Sequence, residues 1–334
     1  MNKISIALGT YNGARFLPEQ LESFSAQTVL PDELIVSDDC STDETAEIIR
    51  EYARAAPFPV ELRKNQKNLG STANFEKAIS LCSGEIIFLS DQDDVWMPTK
   101  IEKIAAEFEK NERLGFVFTD AELVDENLAP LGRRLCDFTF QTKHRHIKTS
   151  REMLELLLPH NYVTGATMAF RADFREFFLP FPLAVPDMIH DAWIALVTAA
   201  MAEFKFLGEP LIKYRQHDRQ QIGVKFFEDV AAVKFERMVS ALRASQIDKE
   251  RINKIYEIFE QNPKLSDESV LIGEIKKKCL AQTDERIRHY QTRTNLPSSK
   301  INRIRAVWRE VKSKRYHKFS KGFLSALKDV VADY

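Results

Sequence analysis

The sequence predicts an α/β protein, a mostly parallel, doubly wound sheet with a helical C-terminal extension. Three observations carry that expectation. Over about the first 120 residues, short apolar runs alternate with amphipathic stretches, and strands joined by helical crossovers lie parallel, covered on both faces. Three of those runs end in polar clusters, at the edge where an open parallel sheet binds its ligand. From about residue 225 the pattern becomes helical and charged.

Each element follows in order. Ile4-Ser5-Ile6-Ala7-Leu8 is the first expected strand, followed by an amphipathic helix over about 16–27. Glu33-Leu34-Ile35-Val36-Ser37 is the second. Ser41 with Glu44 three residues on has the form of a capping box, opening a helix to about 55. Val60-Glu61-Leu62 is a third strand, with a helix over about 71–81. Ile86-Ile87-Phe88-Leu89 is a fourth, then a helix over about 99–111 and the strand Gly115-Phe116-Val117-Phe118-Thr119. Past about 125 the alternation fails, and 128–150 is polar, basic and loop-like. A short helix near 151–157 precedes a strand over 163–170; His190-Asp191-Ala192-Trp193 opens another helix, and a strand over 206–215 ends at His217.

Composition narrows the class. A chain of 334 residues, 44% hydrophobic and 29% charged, describes a soluble globular protein of about two domains. The net charge of −1 gives no sign of a polyanionic partner. Cys40, Cys82, Cys136 and Cys279 are far apart, which argues against a disulfide framework or a zinc site and fits a reducing compartment. The first strand begins by Lys3, leaving no room for a signal peptide, and the least polar later stretch, 192–202, is too short to span a bilayer. A cytoplasmic location is expected, with at most peripheral contact on the inner face of the cell membrane.

The chemistry concentrates at the end of the fourth strand. Ser90-Asp91-Gln92-Asp93-Asp94-Val95-Trp96 places three carboxylates within four residues. Carboxylates at a buried strand end need a cationic answer, and a divalent ion carrying phosphates supplies it, because Mg²⁺ and Mn²⁺ prefer hard oxygen ligands. An acidic cap for the helix after Pro98 is the plainer alternative. Two more clusters lie on the same edge, Gly9-Thr10-Tyr11-Asn12-Gly13 and Asp38-Asp39-Cys40-Ser41. Neither GxGxxG nor GxxxxGK[ST] occurs, which argues against a dinucleotide fold or a P-loop and for metal-bridged phosphate.

These residues resemble the inverting, nucleotide-sugar-dependent glycosyltransferases of family 2, with the GT-A fold. The matching motifs are Thr10-Tyr11-Asn12, Asp38-Asp39-Cys40-Ser41-Thr42-Asp43, Asn68-Leu69-Gly70, the acidic run from Leu89 to Asp94, and His190-Asp191-Ala192-Trp193. Asp91-Gln92-Asp93-Asp94-Val95-Trp96 with Tyr214-Arg215-Gln216-His217 is similar to the bacterial rhamnosyltransferase-like branch that builds surface polysaccharides such as O-antigen. The resemblance implies residues 1–125 as the nucleotide-sugar-binding half of the GT-A domain, 126–222 as its acceptor-binding half, and 223–334 as a helical, basic region.

It also implies roles. Thr10 and Tyr11, with Asn12, Asn68, Gly70 and Gln92, would bind the donor nucleotide; Asp39 would accept the imide N–H of uracil or thymine; Asp91 would face the ribose or donor sugar. Asp93 and His217 would hold Mg²⁺ or Mn²⁺, and Asp94 would support the loop or cap the next helix. One departure stands out: Ala73 precedes Asn74 where many relatives carry arginine, leaving that contact in doubt.

An inverting displacement needs one general base. Asp191, at an expected helix start whose dipole favours the ionised form, is the candidate, with a simple N-cap as its alternative. His190 would orient it. Trp96 and Trp193 could pack on sugar rings or in the core, and Gly165 with Ala166 would let backbone approach the donor.

Between Arg286 and Lys321, twelve Lys or Arg face one acid, Glu310, a local charge of +11. Ile301, Ile304, Val307, Trp308 and Val311 recur there at helical spacing. A basic amphipathic helix of this kind reads as a contact with anionic membrane; a solvated helix or a protein contact is the alternative. No nucleic-acid motif accompanies the charge.

The expected function is metal-dependent inverting transfer of a sugar, best L-rhamnose from dTDP-rhamnose and otherwise a UDP-hexose, onto a saccharide or lipid-linked saccharide. The absence of QxxRW argues against a processive synthase. The alternatives are a sugar nucleotidyltransferase, and a catalytically silent partner that binds nucleotide or membrane.

Overall fold

The computed structural model describes residues 2–141, 144, 146–182, 184–218, 220 and 234–331. Its elements begin with β1 (Ile4–Thr10), α1 (Leu17–Ser25), β2 (Glu33–Asp38), α2 (Thr45–Ala55), β3 (Val60–Lys64), α3 (Ser71–Leu81), β4 (Ile86–Ser90) and β5 (Val95–Trp96). Then come α4 (Lys100–Lys110), β6 (Leu114–Val124), β7 (Pro130–Arg134), α5 (Ser150–Leu157), β8 (Met168–Arg171), α6 (Arg175–Phe178), α7 (His190–Met201) and β9 (Glu203–Arg215). The helical part holds α8 (Lys234–Gln261), α9 (Ser269–Thr294), α10 (Lys300–Lys312), α11 (Arg315–Phe319) and α12 (Phe323–Val331).

The strands form one sheet in the order β3-β2-β1-β4-β8-β6-β9-β5, with β7 on β6. β3, β2, β1 and β4 are parallel. β8 runs against both β4 and β6, and β5 against β9, so the sheet is mixed where a mostly parallel one was expected. The register sets Thr10 beside Asp38 and Leu8 beside Ser90. The polar clusters after β1, β2 and β4 therefore share one edge. Ile86, Ile87, Phe88 and Leu89 are fully buried, as a strand flanked on both sides requires.

Two compact units divide the chain. The first comprises Met1–Leu157, Asn161–Ala184 and Met188–Val224 and contains the sheet. Its core joins Ile6, Leu8, Phe24, Val36, Phe88, Ile104 and Phe108, among others. α7 is buried on every face from His190 to Ala200, which explains its unbroken apolar character: it is a core helix. No helix of the described residues is long and apolar enough to cross a membrane.

Three local expectations change. Ser41 does not cap α2, because its hydroxyl donates to Asp38 Oδ1 at 2.5 Å; Asp43 does the capping instead, accepting Thr45 N and Thr45 Oγ1 on one oxygen. Asp43 also accepts Ala14 N from the loop after β1; burial raises its pKa, but these bonds, the Thr45 hydroxyl's foremost, hold its carboxyl below the ordinary range. β6 runs to Val124, beyond the expected 119, because β9 pairs along its length. Residues 165–167, expected as strand, form a 3₁₀ turn before β8.

The second unit comprises Leu158–His160, Val185–Asp187 and Lys225–Tyr334. α8 and α9 bury Ile252, Ile255, Phe259, Ile272 and Ile275. The basic stretch is not one amphipathic helix. α10, α11 and α12 fold around a small core of Val307, Tyr316 and Ala326, with Val311 and Val330 against it. Val307 and Val311 thus belong to this core, and they part from Ile301, Ile304 and Trp308, which remain exposed.

Candidate functional site

Two backbone positions shape the shared edge. Asn12 (φ 47°) and Cys40 (φ 67°) are both left-handed, a conformation that costs a residue with a side chain about 1–3 kcal/mol unless its surroundings enforce it. Here they do. Asn12 N donates to Ser41 Oγ at 2.9 Å, and Asn12 Oδ1 accepts Thr42 N at 2.9 Å. The loops after β1 and β2 are stitched together through the side chains of Asn12, predicted to bind nucleotide, and Ser41.

Thr10 is buried, and its hydroxyl donates to Asp38 Oδ1 at 3.1 Å. It braces the edge from inside. Tyr11 is 49% exposed. The Gln92 amide holds it, accepting Tyr11 N at 2.8 Å and donating to Tyr11 O at 3.0 Å, as a neighbouring strand would.

Asp39 is buried but well partnered. Leu69 N (2.7 Å) and Asn65 Nδ2 (3.0 Å) donate to its Oδ1, and Gly70 N (2.9 Å) to its Oδ2. A carboxylate offers about four acceptor positions, so room remains for one more donor. Gly70 takes φ 83° to reach it, and Asn68 Oδ1 accepts Gly70 N at 3.1 Å. Behind them Asn74 donates to Ser37 O at 2.8 Å and accepts Asn65 Nδ2 at 2.9 Å, while Lys77 reaches Asn65 Oδ1 at 2.7 Å. Lys77 lies one turn beyond Ala73.

The acidic cluster centres on an unforeseen cation. Lys100, at the start of α4, is fully buried. Its ammonium donates to Ala166 O at 2.7 Å and lies 3.6 Å from the centre of the Trp96 ring. Burial pulls its pKa well below 10.5, and Asp94 and Asp91 pull it back. Burial also lifts Asp91 to about 7, with the charges of Asp93 and Asp191 adding to the rise and Lys100 opposing it. Asp94 is raised well above its ordinary value by burial, then by Asp93 and Asp91; Arg215 N donates to its Oδ1 at 3.0 Å, and its buried Oδ2 has no protein partner. Asp94 therefore ties β9 to this loop, and it caps no helix.

His217, 124 residues from Asp93, meets it at 2.9 Å, Nε2 to Oδ2. Arg215 fixes the approach, donating to Asp93 O at 2.6 Å and pairing with Glu19. A cation with octahedral ligands at 2.0–2.1 Å keeps adjacent ligand atoms about 3.0 Å apart, so Asp93 and His217 suit two neighbouring corners. Among the described residues no group of three His, Cys, Asp or Glu is gathered for a metal. The remaining ligands would be diphosphate and water, as Mg²⁺ commonly takes them.

Asp191 sits in the first turn of α7, buried. Its Oδ1 accepts Asn161 Nδ2 at 3.0 Å and its Oδ2 accepts Gly165 N at 2.8 Å. A Cβ on Gly165 would lie 3.2 Å from both Asp191 Cβ and His190 Nε2. The close approach that Gly165 permits here is to these two residues. His190 stacks on Phe75 with ring centroids 4.0 Å apart. Burial lowers its pKa to about 3, and its buried Nδ1 has no protein partner. Ala166 contributes its carbonyl to Lys100. Trp96 and Trp193 are each 2% exposed; Trp96 meets Phe24 edge-on, and Trp193 Nε1 donates to Phe178 O at 3.1 Å. Both indoles are core, with no face open to a sugar.

Sequence reasoning missed Lys100, Arg215, Asn65 and Asn161. A signal existed for Lys100, which falls in one i, i+4, i+8 row with Ile104 and Phe108, both buried. The partners of the others lie in separate elements: Glu19 of α1 for Arg215, Asn74 and Lys77 of α3 for Asn65, and Asp191 of α7 for Asn161.

Comparison with known proteins gives a consistent result. An uncharacterized glycosyltransferase of Nostoc sp. is 27% identical over 219 residues, 64% of this chain and 65% of that protein. The uncharacterized glycosyltransferase YwdF of Bacillus subtilis is 34% identical over 142 residues, 41% of this chain and 50% of that protein. The chain thus spans less than two thirds of these relatives' length. S. aureus TarS 1–349 in complex with UDP-GlcNAc superimposes with a TM-score of 0.57 at 16% identity, covering 98% of this chain and 88% of that one. The mannosyltransferase PcManGT of Pyrobaculum calidifontis, in complex with GDP-Man and Mn²⁺, gives 0.50 at 17%, covering 99% and 87%. That likeness is one of fold, the GT-A fold. The model of glycosyl transferase family 2 matches residues 5–178, which carry all three clusters of the shared edge, and the chain belongs to that family.

Proposed function

We propose that the chain is a metal-dependent inverting glycosyltransferase that moves a sugar from a nucleoside diphosphate donor to a saccharide hydroxyl. The observation that carries this reading is the gathering of Asp93 and Asp191 about Asp91, which faces the buried Lys100 ammonium, with His217 on Asp93 at 2.9 Å. Tyr11 packs the base, and Asp39 takes its imide N–H on the acceptor position its loop leaves open. Asp93 and His217 would hold a divalent cation, which would supply positive charge against that of the departing diphosphate. Asp191 accepts the proton of the acceptor hydroxyl as its oxygen bonds to the anomeric carbon and the bond to diphosphate breaks. Asn161 and Gly165 hold that carboxylate in place. The donor complexes of TarS and PcManGT support a nucleotide sugar. The run from Asp91 to Trp96 together with Tyr214-Arg215-Gln216-His217 favours dTDP-rhamnose, ahead of UDP-hexoses, and a saccharide or lipid-linked acceptor.

The test is a donor panel scored by nucleoside diphosphate release in Mg²⁺ or Mn²⁺. Release from dTDP-rhamnose or a UDP-hexose, dependent on acceptor and metal, is expected. Pyrophosphate release from a nucleoside triphosphate would make the chain a nucleotidyltransferase instead. No metal-dependent binding of UDP or dTDP by calorimetry would leave a silent partner.

A further inference from the structure

α10 and α12 each present two faces. On α10, Arg303, Ala306, Val307 and Glu310 are buried, while Ile301, Ile304 and Trp308 are exposed along an i, i+3, i+7 stripe on the other side. On α12, Ala326 and Asp329 are buried, and Phe323, Leu324, Leu327 and Val331 are exposed. The inner faces share the Tyr316 core. The outer stripes therefore have no packing role within this unit, and large apolar residues clustered outward mark a contact surface.

Charge identifies the partner. Residues 300–331 contain two acids, Glu310 and Asp329, and both are buried. Glu310 is bound by Arg315 and His289, and Asp329 by Arg293 and by Tyr316, whose hydroxyl donates at 2.7 Å. With the acids withdrawn inside, what surrounds the stripes is cationic: Lys300, Arg305, Arg309, Lys312 and Lys328 are all exposed. Exposed apolar side chains ringed by cations suit a surface that is apolar within and anionic at its rim.

We infer that α10 and α12 form a docking surface for an anionic phospholipid bilayer, with Trp308 at the interface. The surface owes nothing to sugar transfer, so a failure of either reading leaves the other standing.

Trp308 also supplies the readout. Of the three tryptophans, Trp96 and Trp193 are each 2% exposed and Trp308 is 56% exposed, so a change in emission on adding lipid reports Trp308. The full chain is mixed with vesicles of phosphatidylcholine alone or with added phosphatidylglycerol. With the anionic vesicles, emission should move to shorter wavelength and the chain should co-sediment, less so as salt rises. Arg305→Glu with Arg309→Glu should weaken co-sedimentation at least about tenfold, as should Trp308→Ser with Leu324→Ser and Leu327→Ser. All five side chains point outward, and transfer to a soluble acceptor should be unchanged. Equal binding to both vesicles, or variants that bind like the wild type, would overturn the inference. A lipid-free dimer dispersed by the serine substitutions would also overturn it, assigning the stripes to a second copy of the chain.

Discussion

The ammonium of Lys100 lies 3.6 Å from the centre of the Trp96 ring, and neither is open to solvent. The indole face attracts a cation through its quadrupole, and Ala166 O takes one of the N–H groups. The same ammonium faces Asp91 and Asp94, while Asp93 and Asp191 add their charge to Asp91. One monovalent cation thus faces two carboxyls, with two more acting on Asp91, a surplus of acids that adds to burial in pushing Asp91 and Asp94 toward their neutral forms. That surplus is what a divalent ion at Asp93 and His217 would offset, and without Lys100 it would be larger still.

Lys100→Met keeps the length of the side chain and removes its charge. Breaking a buried ionic group by deleting one partner destabilises by about 3–5 kcal/mol, and a loss of that order is expected in urea unfolding. Adding Asp94→Asn should recover part of it, since residues that share an interaction do not add. A single variant within about 0.5 kcal/mol of wild type, the range of ordinary surface changes, would show that Lys100 is not the counter-charge.

How much was legible in the sequence follows from where each interaction lies along the chain. The strands before 120 and the three polar clusters are local patterns, and they stand where expected, because alternation and strand ends are written in consecutive residues. The mixed order of the sheet was not legible: β8 enters between β4 and β6 from about 50 residues away. The tryptophans illustrate a second limit. Trp96 and Trp193 follow polar motifs, and only their burial, with Trp96 against Phe24 and Trp193 Nε1 on the Phe178 carbonyl, reveals them as core. Asp39 illustrates a third, since a backbone loop at 69–70 turns its carboxylate inward.

Asp191→Asn isolates the proposed proton transfer. Asparagine keeps one acceptor for Gly165 N or Asn161 Nδ2, and the other contact is lost, at about 1–3 kcal/mol of stability. General-base catalysis contributes about 10²–10⁴-fold, so kcat should fall by that much while calorimetry with UDP or dTDP is unchanged. Transfer above a tenth of wild type would remove Asp191 from the role.

His190 sets a pH dependence whose sign can be worked out. Its folded pKa of about 3 lies below the ordinary 6.5 because burial disfavours the cation. Between those values the unfolded chain binds a proton that the folded chain does not. Stability attributable to His190 is therefore complete above pH 6.5 and declines as pH falls toward 3, by up to about 1.4 kcal/mol per unit. His190→Phe keeps a ring against Phe75 and removes the titration. The wild type should lose stability relative to this variant on going from pH 7 to 5; a constant difference would mean that His190 is not held neutral.

Gly13 and Gln92 make the sharpest test of the nucleotide edge. A Cβ on Gly13 would lie 2.1 Å from Gln92 Oε1, closer than any non-bonded contact allows. Gly13→Ala must then expel the Gln92 amide, and with it both bonds to Tyr11. Tyr11, already 49% exposed, would lose the tether that presents its ring. If Tyr11 packs the base, dTDP or UDP should bind about 5–30-fold more weakly, the equivalent of 1–2 kcal/mol, with kcat at saturation little changed. Gln92→Ala should give the same loss by deleting the tether directly. Because both substitutions break one contact, the double variant should bind no worse than Gln92→Ala alone. Losses that add in full would mean that Gly13 acts through something other than Gln92.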